Sequence, residues 1–156
     1  MATWKEFEHE APELAARVRT RLDAGRHKTL ATLRRDGSPR ISGTETQLVD
    51  GDLWIGSMWQ ALKARDLQRD PRFALHAMPN DPEVFDGGDA KIAGVAEEIT
   101  DEALVRKLNG DGPPGSSHLF RLDLGEASVV RHNDAKDALV IEVWRPGEGV
   151  RRMERA

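Results

Sequence analysis

The sequence predicts a mainly β protein, an antiparallel barrel of six to eight strands with flanking helices, on three observations. Short runs rich in β-branched and apolar residues recur along most of the chain, bounded by Asp-Gly, Pro and Gly turn signals. Helical periodicity is confined to a few stretches, whereas a parallel sheet needs a crossover between each pair of strands. The strands are evenly spaced with short connections, which favours a barrel.

The elements follow in chain order. Residues 11–24 read as a helix, because Leu14, Val18 and Leu22 recur every four positions and Gly25 supplies a stop. Residues 27–34, 40–49 and 53–58 read as an antiparallel meander. Its turns are Asp36-Gly37-Ser38-Pro39 and Asp50-Gly51-Asp52. A helix is expected over 59–69, ended by Asp70-Pro71, since the residue before proline resists the α region. Residues 72–78 resume a strand, a Pro/Asp/Gly-rich loop covers 79–89, and 90–99 reads as a long strand. Asp101 is placed to cap a helix over 103–108, and strands at 118–124, 127–132 and 139–144 complete the set.

Composition narrows the class. A chain of 156 residues with 38% hydrophobic and 32% charged content is expected to form one domain with a solvated surface. No apolar run reaches the roughly 18 residues of a membrane span, and residues 1–10 are polar and acidic, unlike a secretory leader. With no cysteine there is neither disulfide nor thiolate chemistry, which agrees with the cytoplasm. A net charge of −4 disfavours a general nucleic-acid binder. The histidines stand at no metal-ligand spacing, and Asp81, Asp86 and Asp89 do not follow a calcium loop, so no metal is expected. Asn109-Gly110-Asp111-Gly112 lacks the lysine of a phosphate loop and reads as a turn.

Two segments carry candidate chemistry. In the strand from Arg40, one face shows Arg40, Ser42, Thr44 and Thr46 and the other Ile41 and Gly43. Such a row either faces solvent on a half-exposed sheet or meets a polar, planar ligand, with Gly43 allowing close approach. Further on, a strand ends near Ser57 and a helix opens, so first-turn amides point outward beside Lys63 and Arg65. That reads either as a phosphate clamp or as a solvated basic helix face.

These elements together resemble the flavin-binding split-barrel family of pyridoxamine 5′-phosphate oxidase-like proteins. The resemblance lies in Ala31-Thr32-Leu33, the Asp36-Gly37-Ser38-Pro39 turn, the polar strand from Arg40 to Gln47, Leu53 to Ser57, and the Lys-x-Arg-x-Leu-x-x-Asp-Pro-Arg run from Lys63 to Arg72. It implies a split β-barrel whose second-strand residues and helix cations hold a cofactor's ring edge and phosphate. The positions so implied are Arg40, Ser42, Ser57, Lys63 and Arg65, with FMN or the deazaflavin coenzyme F-420 as the cofactor, and the hydroxyl of Thr44 in the same row is expected to hydrogen-bond the ring beside Ser42. The family builds its sites between two subunits, so the resemblance implies a homodimer, its loop at 79–89 covered by the partner.

Two departures stand out. Ala61 occupies a position where relatives often carry a second basic residue. Near the C-terminus, Glu142-Val143-Trp144 and the run Arg151 to Arg155 resemble the end of true pyridoxamine-phosphate oxidases, but Met153 replaces the substrate-gripping histidine. Pyridoxamine phosphate is therefore not the expected substrate, Trp144 is read as barrel packing, and the last residues are read as a frayed tail. The expected activity is hydride transfer to or from a small organic molecule. The competing readings are a non-catalytic flavin- or haem-binding dimer and a structural dimer with a decayed site.

Overall fold

A computed structural model describes residues 1–79 and 87–156, so part of the expected loop at 79–89 lies outside the described residues. The chain begins with α1 (Trp4–Glu10) and α2 (Pro12–Ala24), and α1 is closed by a capping box between Thr3 and Glu6. The sheet starts with β1 (Lys28–Leu33), β2 (Pro39–Thr44), β3 (Gln47–Val49) and β4 (Asp52–Met58). Helix α3 (Leu62–Arg69) leads to β5 (Arg72–His76) and β6 (Asp89–Glu98). After α4 (Glu102–Asn109) come β7 (Ser117–His132), β8 (Leu139–Arg145) and β9 (Gly149–Arg155).

All nine strands pair antiparallel in one sheet, in the order β2-β1-β5-β6-β7-β4-β3, with β8 on β7 and β9 on β8. The path ends at β2 on one side and β3 on the other, so the barrel is split rather than closed. The 16-residue β7 organises it. Its first half pairs with β4, its second half with β8, and β6 follows it along the other edge.

The core fills the concave side. Leu14, Val18 and Leu22, the predicted stripe of α2, are 2%, 0% and 3% exposed and pack with Leu30, Leu53, Ile92, Leu122 and Val129. Trp144 is fully buried against Phe7 at 4.5 Å between ring centroids, and its indole donates to Glu10 at 3.0 Å. It packs α1 onto β8, as expected of a packing residue.

The expected class stands, with differences of detail. A short helix with two apolar anchors, Trp4 and Phe7, occupies the polar leader; too short for periodicity, it announces itself only by Thr3-x-x-Glu6. The expected strand at 40–49 breaks at Glu45 and Thr46 into β2 and β3, while the expected strands at 118–124 and 127–132 are one. The last residues are not frayed: β9 pairs with β8 along its whole length, its side chains exposed. Among the described residues, with β3 and β9 counted, the sheet has nine strands rather than six to eight.

Register slips by one residue between Ala93 and Gly94, leaving Gly125 as the extra residue of a bulge in β7. A Cβ on Gly94 would lie 1.9 Å from the Asp123 carbonyl oxygen, a backbone atom that cannot move aside, whereas a Cβ on Gly43 meets nothing within 4 Å. Gly94→Ala is therefore expected to lose about 1–3 kcal/mol or more, while Gly43→Ala shifts stability by less than about 1 kcal/mol. Urea denaturation midpoints of the two variants check this.

Candidate functional site

The face of β2 that carries Arg40, Ser42 and Thr44 turns toward α3. The reason is Asp66, whose side chain is 4% exposed. Its carboxylate accepts from Thr32 Oγ1 on β1 at 2.8 Å, from Arg40 Nε on β2 at 2.7 Å, and from Arg69 Nη2 at 3.0 Å. Burial acts to raise the Asp66 pKa, but the hydrogen bonds from Arg40, Thr32 and Arg69 outweigh it and hold the carboxyl below its usual range. Thr32 and Arg40, from two strands, thus pin an eight-residue helix across the open edge of the sheet, with Arg69 of the helix itself completing the shell around Asp66.

The turn before α3 is built as tightly. Gln60 takes a φ of 61°, uncommon for a residue with a side chain. Its amide donates to Nε2 of the buried His118 at 3.1 Å, and His118 Nδ1 lies 2.6 Å from Glu98 Oε1. A backbone N–H can only donate, so Nε2 is the unprotonated nitrogen and Nδ1–H donates to Glu98. Trp59 stacks on the imidazole at 4.6 Å with a 10° tilt. Because residues 59–61 form this turn, the expected helix at 59–69 begins three residues later, at Leu62. Ala61, at the N-cap, offers no side-chain bond to the first-turn amides.

Two clefts flank α3 and share no lining residue. The first, about 690 Å³, is lined by Gly43, Thr44, Ser57, Trp59 and Lys63, with His27, Glu45, Gln47 and the segment 116–117 around them. Lys63 Nζ donates to the Gly43 carbonyl at 2.8 Å, and burial lowers its pKa from the usual lysine value. Thr44 and Ser57 are 5% and 7% exposed. Asn109 closes the floor, its amide donating to Ser117 Oγ and the His118 carbonyl and its side chain filling the space beside Gly56. The second cleft, about 920 Å³, is lined by Arg34, Arg35, Asp36, Arg40, Arg65, Asp66 and Arg69.

The six residues singled out in the sequence therefore part company. Thr44, Ser57 and Lys63 meet in the first cleft, Arg40 and Arg65 line the second, and Ser42 is half-buried between them, lining neither. The expected pairing of Lys63 with Arg65 does not form: positions two apart on a helix point to different faces. Arg65 instead bonds the Gln60 side chain through Nε and Nη2. His118 and Glu98 lay outside the sequence reading because only the sheet brings them together. Among the described residues, no group of three or more His, Asp or Glu side chains is placed to hold a metal ion, and no helix is long and apolar enough to cross a membrane.

The family model described as pyridoxamine 5′-phosphate oxidase matches residues 14–141. No curated protein matches the chain by sequence. Among solved structures, PhzG from Burkholderia lata 383, in complex with tetrahydrophenazine-1-carboxylic acid, is 14% identical with a TM-score of 0.65, covering 93% of this chain and 92% of that one. A heme binding protein from Mycobacterium smegmatis is 17% identical with a TM-score of 0.57, covering 92% and 88%. An F-420 reductase is 23% identical with a TM-score of 0.51, covering 65% and 88%. At these identities the likeness is one of fold.

Asp66 generates a prediction about acid. A carboxyl held below its unfolded value adds stability that is full above that value and is lost as pH falls through the folded one. Asp66→Asn is expected to lose about 3 kcal/mol at pH 7, by leaving the partly buried Arg40 without its counter-ion. The gap from the parent protein narrows as pH falls below about 4, where the unfolded chain's carboxyl takes up its proton, and closes further as pH passes the lowered folded value. Urea midpoints across that range are the measurement; a pH-independent gap would contradict the assignment.

Proposed function

Because the chain belongs to the pyridoxamine 5′-phosphate oxidase family, we propose that it is an oxidoreductase holding FMN or the deazaflavin coenzyme F-420 in the first cleft, and that it acts on a small organic substrate. The observation that carries this reading is the meeting, in one cleft, of Lys63 with the hydroxyls of Thr44 and Ser57.

The residues present fit such a group. Among the described residues Lys63 has a carbonyl but no carboxylate partner, so its charge is available to a phosphate. The positive end of the α3 dipole, near Lys63, favours the same anion. The volume lies within the roughly 300–1,000 Å³ usual for small-molecule sites. Glu45, also at the cleft, is occupied by Arg26 at 2.9 Å.

When bound, the cofactor supplies the hydride chemistry. The chain's own part is to bind and orient. Lys63, beside the positive end of α3, takes the phosphate, while Thr44 and Ser57 offer hydroxyls to the polar edge of the ring. A smaller cavity of about 270 Å³ shares Trp59, Ser116 and Ser117 with the cleft and adds Ile99, Val105 and Pro113, an apolar place for substrate beside the ring. Arg40 and Arg65 support the site from behind, through Asp66 and Gln60. A homodimer is part of the proposal: Ile41, 74% exposed, and Ala31, Ala74 and Ala93 lie along the convex face of the sheet, a surface a second copy would cover.

The likeness to a heme binding protein favours a second reading, a non-catalytic module that stores or senses its ligand. The absorption spectrum of the purified protein separates haem from flavin, and reduction of a panel of quinones and enones separates turnover from storage. The lead reading expects micromolar binding of FMN or F-420 by fluorescence titration; binding of neither overturns it. Lys63→Ala is expected to weaken that binding about ten- to a hundredfold, and Arg65→Ala to leave it within about twofold. Lys63 is charged only below its lowered pKa, so affinity should also fall on alkaline titration before the ordinary lysine range is reached.

A further inference from the structure

The second cleft gathers five guanidiniums, those of Arg34, Arg35, Arg40, Arg65 and Arg69, around two carboxylates, Asp36 and Asp66. Five positive charges less two negative leaves an excess of three, on a chain whose formal net charge is −4. Like charges held this close repel unless a counter-ion joins them.

Their local partners do not explain the cluster. Asp66 takes one nitrogen each from Arg40 and Arg69. Asp36 is engaged with Ser38 in its own turn. Arg65 is held by a neutral amide, that of Gln60, and the Arg34 side chain donates to the Pro39 carbonyl at 3.5 Å, with Asp36 nearby. Arg35, in the β1–β2 turn, has no hydrogen-bond or ion-pair partner among the described residues. Arg40, Arg65 and Arg69 are thus fixed by the fold with N–H groups to spare, so a ligand meets donors that are already ordered.

From this geometry we infer that the cleft on the Arg65 side of α3 is a second binding site, for a small oligoanion carrying two or three adjacent phosphate or carboxylate groups. The excess of three charges matches such a ligand better than a monoanion. The planar forks of arginine suit both phosphate and carboxylate. The site shares no lining residue with the first cleft, so it stands independently of the flavin reading. The chain's net negative charge argues against an extended nucleic-acid backbone.

Isothermal titration of the full chain with inorganic triphosphate at about 50 mM salt tests the inference. One site per chain is expected, with affinity reduced about tenfold or more in the double variant Arg35→Ala/Arg65→Ala. Circular dichroism checks that this surface variant is folded. Binding should be unchanged by Lys63→Ala and by saturating FMN. Any of four outcomes overturns the inference: no binding; equal binding by the double variant; loss of binding with Lys63→Ala or competition by FMN, which would move the anion to the first cleft; or tighter binding of a single-stranded oligonucleotide, which would make the ligand a nucleic acid.

Discussion

A single buried carboxylate, Asp66, decides where helix α3 lies against the sheet. Helix α3 has eight residues and no side-chain cap, too short to persist alone. Asp66 fixes it by collecting a hydroxyl from β1 and a guanidinium from β2, so the helix lies where those strands put it. Everything of functional interest hangs from that placement. Lys63 projects to one side and the arginines to the other, and the two clefts are the spaces left on either flank.

The turn that feeds the helix obeys the same logic from the opposite edge. Gln60 adopts a backbone conformation that costs free energy, and His118 compensates by accepting its amide while Trp59 covers the imidazole. Glu98 fixes the tautomer that makes acceptance possible. His118 and Glu98 lie on adjoining strands that both flank this turn, so the β6–β7 pairing reaches the start of α3 through one nitrogen atom.

Much of the fold was legible because it rests on local signals. The stripe Leu14, Val18, Leu22 and the Asp36-Gly37 and Asp50-Gly51 turns each act over a few residues, and the structure keeps them all. Element lengths were less legible, since the long β7 exists only because three partners hold it. The candidate site was half legible. The run from Lys63 to Arg72 names the right helix but not its rotation, and rotation is what separates Lys63 from Arg65. Asp66, between Ala64 and Leu67 on the buried side, carries no signature that tells a structural carboxylate from a surface one.

The indoles are distributed in a way that has a practical side. Trp4, Trp54 and Trp144 are buried with their N–H groups given to Glu8, the Val49 carbonyl and Glu10, whereas Trp59 is half open to water at the rim shared by the first cleft and its apolar annex. Excitation at the red edge of the absorption band favours the hydrated fluorophore, so the emission it selects comes chiefly from the one tryptophan that any occupant of that rim must touch. The protein carries its own optical reporter, at the place where arrivals register first.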